Sequence, residues 1–409
     1  MIETFRVQNF KALRDVTLNL TPIHLLIGPN DSGKTSLLQA LATLARSAER
    51  PLDRLFRGAW EKSCPLYASR TSFPVEFNVR FIDVQKSLIQ YDLRIRPSLD
   101  SRDARVASEE VQTSGGTCPL KNEPLQPKAS QLQRFLHGGV NSDFDLLPDY
   151  AKSLAADSLQ RLGQVLNGVQ ICQWNASNLA IPATASKDAD PYLIDDDGFG
   201  LNRCLLDLLA SSRDVFLAIE HDLCQLVPQV VGLDFRSTRA YEARDVDGGA
   251  TRALIERSGK ALRFKFRDPP LELDAAEVSA GLLLLLGFLT VVRLPTRPRL
   301  ILVEEPENGI HPGRLSQIID LFRAVQVRSP QTQIVITSHS PYIVSLFQPE
   351  EVTLCRKNAE GHVEVRRLSE SKLVQQQSDI FSLGEIWPAE EEAIFAESSE
   401  QPTVTETQP

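Results

Sequence analysis

Residues 28–35 read GPNDSGKT, the spacing G-x-x-x-x-G-K-[ST]. Those residue types at that spacing suit the holding of a phosphate chain. The backbone N–H groups of Asn30, Asp31, Ser32, Gly33, Lys34 and Thr35 can curl around an anion. The helix that follows, with Ser36 in its first turn, presents its positive N-terminal end to the same place. Gly28 and Gly33 permit backbone angles that a side chain hinders. Lys34 would reach the β- and γ-phosphates of a nucleoside triphosphate, and the Thr35 hydroxyl would ligate Mg2+. A glycine turn can match this spacing by chance. Here, however, an apolar strand, HLLIG, precedes the motif and a helical pattern, SLLQALATLARSAE, follows it, as phosphate binding requires.

A second group of residues has the chemistry to act on such a phosphate. RLILVEEPE (residues 299–307) sets Glu304 and Glu305 at the end of an apolar strand. One carboxylate in that place holds Mg2+ through its water shell, and the next polarises an attacking water. The plainer reading is a solvated strand terminus. VITSHSP places His339 at the end of another apolar strand, within reach of a γ-phosphate or its attacking water, although a lone histidine is more often structural. The candidate catalytic residues are therefore Glu305, His339 and Lys34, and the candidate metal ligands Thr35 and Glu304.

These groups act together only if their strand ends lie side by side. The second half of the chain alternates strand and helix: a leucine-rich helix, RLILVEE, RLSQIIDLFRAVQV, QIVITSH. That order indicates a mostly parallel, doubly wound α/β sheet. VEFNVRFI and LIQYDLRIR read as antiparallel strands, and EVTLCRK with HVEVRRL as a terminal hairpin. Residues 98–128 turn polar and read as a linker, and residues 131–226 read as a helical insertion. The expected division is 1–96, an N-terminal ATPase part; 97–235, linker and helical insertion; 236–388, a C-terminal ATPase part; and 389–409, an acidic tail expected to be disordered.

Composition sets outer bounds. Of 409 residues, 42 % are hydrophobic and 24 % charged, the balance of a globular chain. A formal charge of −9 argues against coating nucleic acid or an anionic membrane with the whole surface, though a local basic face stays open. The start, MIETFRVQNF, lacks a signal-peptide pattern. Cys64, Cys118, Cys172, Cys204, Cys224 and Cys355 are scattered without a CxxC pair, as in a cytoplasmic protein with reduced thiols. The uncharged run from Val278 to Val292, bracketed by Glu277 and Arg293, is shorter than the ~20 apolar residues of a membrane span and reads as a buried helix.

GPNDSGKTS, VSAG, LVEEPENGIHP and TSHSP, in this order, resemble the ATP-binding-cassette (ABC) ATPases of the RecF/SMC type. The resemblance is closest to small ATPases related to the overcoming-lysogenization-defect (OLD) nucleases. It covers about residues 1–96 and 192–388. It implies an ABC-type head with a mixed, mostly parallel core sheet, an antiparallel β part and a helical insertion. It makes Ser279-Ala280-Gly281 the signature that heads the leucine helix, so that Ser279 and Gly281 join the nucleotide-binding set. It also implies ATP and Mg2+ as cofactors. Because signature and phosphate loop of one site come from different copies, it implies a homodimer with composite ATP sites, a higher oligomer being left open. Such relatives are components of bacterial anti-phage defence or DNA repair and are paired with a separately encoded effector such as a nuclease.

The sequence departs from the family in two places. Glu304 stands where Asp is usual, and Leu282 and Leu283 follow the signature where polar residues are common. Gln85 is one candidate for the family's Q-loop glutamine. Asn308 and His311 are candidates to cross a dimer interface, with a plain loop role as the alternative.

Weaker signals carry less. IDDDGFG lacks calcium-loop spacing. Arg263, Lys265 and Arg267, with Arg94 and Arg96, form a candidate basic face for DNA or RNA, but without aromatic residues for base stacking. Fewer than a hundred residues follow His339, without D-x-D, so an intrinsic Toprim-type nuclease is not expected. The alternative to an ATPase switch is a slow or non-hydrolysing nucleotide-gated DNA clamp. A small-molecule kinase would leave the signature and His339 without a role.

Overall fold

The computed structural model describes residues 1–49, 52, 74–82, 87–97, 104–113, 116–119, 132, 136, 149–166, 168–184, 192–246, 251–377 and 382–387. Its centre is a six-stranded sheet in the order β15-β14-β3-β13-β12-β8. Strands β8 (Val169–Cys172), β12 (Leu300–Glu304), β13 (Gln333–Ser338), β3 (Ile23–Ile27) and β14 (Val352–Lys357) run parallel, and β15 (Val363–Arg367) returns antiparallel to β14. The three inner strands are near-continuous apolar runs because both faces of the sheet are covered.

Alternate residues of these strands enter two different cores. Ile23, Leu25, Ile27, Ile301, Val303, Ile334 and Ile336 pack under the helices α3 (Leu201–Ser211), α4 (Arg213–Leu226), α5 (Ala280–Arg293) and α6 (Leu315–Arg328). Leu26, Leu300, Leu302 and Val335 point the other way, onto α1 (Lys34–Ser47) and a second sheet. The leucine run is α5. Residues 282–292 are all buried, and Phe288 stacks on Trp174 with ring centroids 5.1 Å apart. No helix among the described residues is long and apolar enough to cross a membrane.

The second sheet is antiparallel: β1 (Ile2–Phe10), β2 (Leu13–Asn19), β4 (Val75–Ile82) and β5 (Leu88–Pro97) join two further strands in the order β2-β1-β4-β5-β6-β7. Strands β6 (Ala104–Thr113) and β7 (Gly116–Pro119) fall within the stretch expected to be a linker. Composition misleads there because one inward-facing residue is Glu109. Its carboxylate is buried and accepts hydrogen bonds from the Tyr91 hydroxyl (2.7 Å) and the Leu132 N–H (3.1 Å). Likewise β8, inside the stretch read as helical, has only four residues, too few for a period-2 pattern to register. Helix α2 (Asp149–Leu166) precedes it. A third sheet, β11-β10-β9, holds the long antiparallel pair β9 (Val230–Val246) and β10 (Thr251–Phe266), with β11 (Leu271–Asp274) at its edge.

Candidate nucleotide site

Strands β3, β8, β12 and β13 are parallel, so their C-terminal ends open on one edge of the core sheet, the usual place for a ligand in such sheets. The phosphate loop leaves β3 there. Gly28 has φ +151°, and a Cβ on it would lie 2.2 Å from the Cys355 carbonyl oxygen and 2.7 Å from Ser32 Oγ. Gly33, at φ +94°, caps α1 and presses against Val363. Asp31, also left-handed at φ +67°, is tied to Lys357 at 2.6 Å. The β14–β15 hairpin therefore supports the loop from below.

Inside the loop Lys34 is buried, and its Nζ donates to the carbonyls of Gly28 and Pro29, both at 2.8 Å. Burial lowers its pKa, partly offset by Glu305, Cys355, Glu307 and Glu304. The Thr35 hydroxyl donates to Glu304 Oε1. This joins the two expected metal ligands, which are 269 positions apart in the chain. Burial raises the Glu304 carboxyl pKa, opposed by the Thr35 hydrogen bond and reinforced by repulsion from Glu305. Among the buried polar atoms here without a hydrogen-bond partner are Ser32 Oγ and Glu304 Oε2. Native interiors rarely leave such atoms unpaired, so both mark where a phosphate and a cation fit.

Glu305 takes a left-handed backbone at φ +43°, which is uncommon outside glycine, while its N–H still bonds the Thr337 carbonyl at 3.0 Å. The turn aims its carboxylate sideways. Oε2 accepts from Asn308 Nδ2 at 2.8 Å, and Oε1 lies 3.2 Å from His339 Nδ1. The structure thus brings Lys34, Thr35, Glu304, Glu305 and His339 to one edge of the sheet. Asn308 belongs to the same cluster. His311 instead caps the next turn, its Nδ1 accepting from the Gly313 N–H at 3.1 Å.

Three residues were missed by sequence reasoning. Glu307 accepts from Ser338 Oγ (2.7 Å) and the His339 N–H (3.0 Å), holding the two strand ends together. A third acid in EEPE was the available signal. Gln173, just after β8, is near enough to Glu304 to help lower its carboxyl pKa and lines a cavity with Glu304, Glu305 and Asn308. No local pattern marks a glutamine after so short a strand. Gln85, the candidate from sequence, lies outside the described residues. The third is Lys11, from the β1–β2 turn, where β1 is Ile2–Phe10 and β2 is Leu13–Asn19. Its ammonium donates to Gln39 and feels the charge of Glu304.

Burial lowers the Lys11 pKa from 10.5 to about 8, against the opposing pull of Glu304. Below about 8 it is a cation facing the nucleotide edge; above, it is neutral. Nucleotide affinity is expected to fall as pH rises through about 8, and Lys11→Met to flatten that dependence in a fluorescent-nucleotide titration. The stability sign is opposite. The unfolded chain binds the extra proton between pH about 8 and 10.5, so the cost of burying this cation is full below about 8 and gone above 10.5.

Ser279 caps α5, its Oγ accepting from the Leu282 N–H at 3.4 Å, and is exposed. Among the described residues no hydrogen bond joins it to residues 28–36. Gly281 is there because of a close approach: a Cβ would lie 2.7 Å from the Gly309 carbonyl oxygen. Gly281→Val should cost about 1–3 kcal/mol and lower the melting temperature, since helix and loop must part. An unchanged calorimetric transition would show that the contact yields freely.

The weaker sequence signals resolve as structure. In IDDDGFG, Asp196 pairs with Arg46, and backbone carbonyls of Asp196 and Asp197 accept from Gln173 and Asn175. On the basic strand face, Arg263 is paired with Asp234 and Glu272, both at 2.6 Å, and Lys265 lies 3.5 Å from Asp234. Arg94, on a different sheet, pairs with Glu76. The described cysteines Cys172, Cys204, Cys224 and Cys355 are free thiols.

Phosphate loop, paired strand-end acids, strand-end histidine and a capped Ser-x-Gly helix on one mixed sheet together make up a P-loop, ATPase-type nucleotide site. Residues 1–129 match the family described as AAA ATPase domain, and residues 233–345 the family described as AAA domain, putative AbiEii toxin, Type IV TA system. The chain is related to the OLD nucleases through their ATPase domain. It is 23 % identical over 375 residues to the OLD nuclease of Thermus scotoductus, covering 90 % of this chain and 65 % of that relative. Among solved structures it is similar to an SMC head bound to the C-winged helix domain of ScpA (11 % identity, 89 % and 96 % of the two chains covered, TM-score 0.49). It is also similar to the SMC head domain from Thermotoga maritima (10 % identity, 90 % and 98 %, TM-score 0.42).

Proposed function

We propose that the chain binds and hydrolyses ATP at this edge, and that two copies close head to tail around two nucleotides as a switch controlling a separate effector. The observation that carries the reading is the Thr35–Glu304 hydrogen bond beside two buried, unpaired oxygens, Glu304 Oε2 and Ser32 Oγ. Thr35 and Glu304 would hold Mg2+, which supplies neutralisation of phosphate charge. Lys34 and the loop N–H groups bind the phosphates. Glu305 is placed to take the proton of an attacking water, with His339 and Asn308 fixing its carboxylate. Ser279, exposed at the head of α5, is placed to meet the γ-phosphate bound to a second copy.

The partner is proposed from chemistry and kinship. The relative is named as a nuclease, and this chain spans 65 % of its length. The effector proposed on that kinship is a nuclease, acting in anti-phage defence or DNA repair. Direct contact with DNA or RNA through Arg263, Lys265 and Arg267 gains little from the geometry, because Arg263 and Lys265 already have carboxylate partners. A second reading, the slow or non-hydrolysing clamp, is favoured by one observation: the longer Glu304, and not Asp, stands at the strand-end metal position.

Solution mass by light scattering, with ATP and Mg2+, tests the dimer. Wild type is expected to double in mass on adding nucleotide, and Ser279→Arg to bind nucleotide yet stay single. Equal behaviour of the two chains would remove the composite site. Doubling without phosphate release would select the clamp.

A further inference from the structure

We propose that the groove between α4, α5 and α6 receives the chain's own acidic tail, residues 389–397 (AEEEAIFAE) being the occupant. The groove has a volume of about 520 Å3 on the outer face of the helical layer. Leu226, Leu289, Leu321 and Ala324 form its apolar wall. Val327 at its end is 81 % exposed, the highest exposure among the described large hydrophobic residues.

One end of the groove is basic. Arg293 and Arg328 line it; burial lowers the Arg328 pKa, and the nearby charges of Arg293 and Arg297 lower it further. The carboxylate on this cluster is Asp222, 2.5 Å from Arg293. Arg297 donates to the Ser329 hydroxyl, and Arg328 to the Ala324 carbonyl, both neutral acceptors. Among the described residues, Asp222 is thus the one carboxylate at ion-pair distance from any of these three guanidinium groups, which lie beside an apolar trough, and an acidic segment with apolar residues complements both features.

The tail has that composition: Glu390, Glu391 and Glu392, then Ile394 and Phe395, then Glu397. It also starts close by. The helical turn 383–387 packs on the turn Pro341–Val344, where a Cβ on Gly384 would meet the Pro341 carbonyl at 2.2 Å. Arg323 of α6 in turn donates to the Leu346 carbonyl at 3.0 Å, just beyond that second turn. From Trp387, eight residues reach about 26 Å when extended. Helix α6, of 14 residues, is about 21 Å long, so the tether's reach is of the same order as the length of the groove wall. Because Leu289 and Arg293 belong to α5, an occupied groove would brace the helix whose other end carries Ser279.

Photo-crosslinking in the full chain tests this, with a benzophenone-bearing residue at position 395. Mass spectrometry of the digest is expected to find intrachain cross-links to residues 289–293 and 321–328. Val327→Glu, Arg328→Glu and the triple change of Glu390, Glu391 and Glu392 to Lys should each cut the yield about tenfold, and 0.5 M salt should weaken it. Unchanged melting temperatures, expected at so exposed a position as Val327, would confirm that these variants are folded. Cross-links elsewhere, none at all, yields insensitive to the substitutions, or links found only between two copies would overturn the assignment.

Discussion

Glu305→Gln is expected to lower ATP turnover by about 10²–10⁴-fold while leaving nucleotide affinity the same or tighter. The two effects separate because Glu305 has two kinds of neighbour. Towards water it offers a proton acceptor, which an amide does not replace. Towards Glu304 it is a second negative charge, and that repulsion is one cause of the raised Glu304 pKa. Removing it makes Glu304 easier to ionise and so a better metal ligand. The amide keeps the side chain's shape, and its oxygen can still accept from Asn308 Nδ2. Phosphate release and nucleotide titration on the same preparation check this. Turnover near the wild-type rate would mean that another group takes the proton.

Lys34→Ala is expected to abolish the thermal stabilisation that ATP confers. A ligand at 100 times its Kd stabilises the folded state by about 2.7 kcal/mol, and the variant should lose nearly all of that. The nucleotide-free variant should change far less. Its loop loses two hydrogen bonds, to the Gly28 and Pro29 carbonyls, and strands two acceptors at about 1–3 kcal/mol each. It is also relieved of a buried cation whose pKa the burial has lowered. These oppose one another, so the discriminating quantity is the shift between melts with and without ATP. A shift of wild-type size in the variant would place nucleotide binding elsewhere.

Much of the site was legible because its residues sit where strand turns to loop, and that boundary is written locally. GPNDSGKT needs its glycines at Gly28 and Gly33 for contacts the structure displays, and EE after four apolar residues marks the end of β12. The parallel sheet followed from the strand and helix alternation. What stayed hidden depends on partners distant in sequence. Gln173 matters only because β8 pairs with β12, and Lys11 only because the β1–β2 turn lies over Glu304. Strand β6 was obscured by Glu109, a buried acid satisfied by the Tyr91 hydroxyl and the Leu132 N–H. The basic stripe on β10 illustrates the converse: the positive charges were plain, whereas their neutralisers, Asp234 and Glu272, lie on the neighbouring strands β9 and β11.

The position of β3 bears on how the protein is made. Its two neighbours in the core sheet, β13 and β14, both come from the far end of the chain. During synthesis the phosphate loop therefore emerges long before the strands that flank it, and before the hairpin residues Val363 and Lys357 that prop it. A nascent chain halted short of β14 carries the whole GPNDSGKT motif with no scaffold to shape it. Folding of such non-local pairings is slow, and unfinished sheet edges are exposed while it proceeds. Nucleotide capture should begin only once β13, β14 and β15 have left the ribosome.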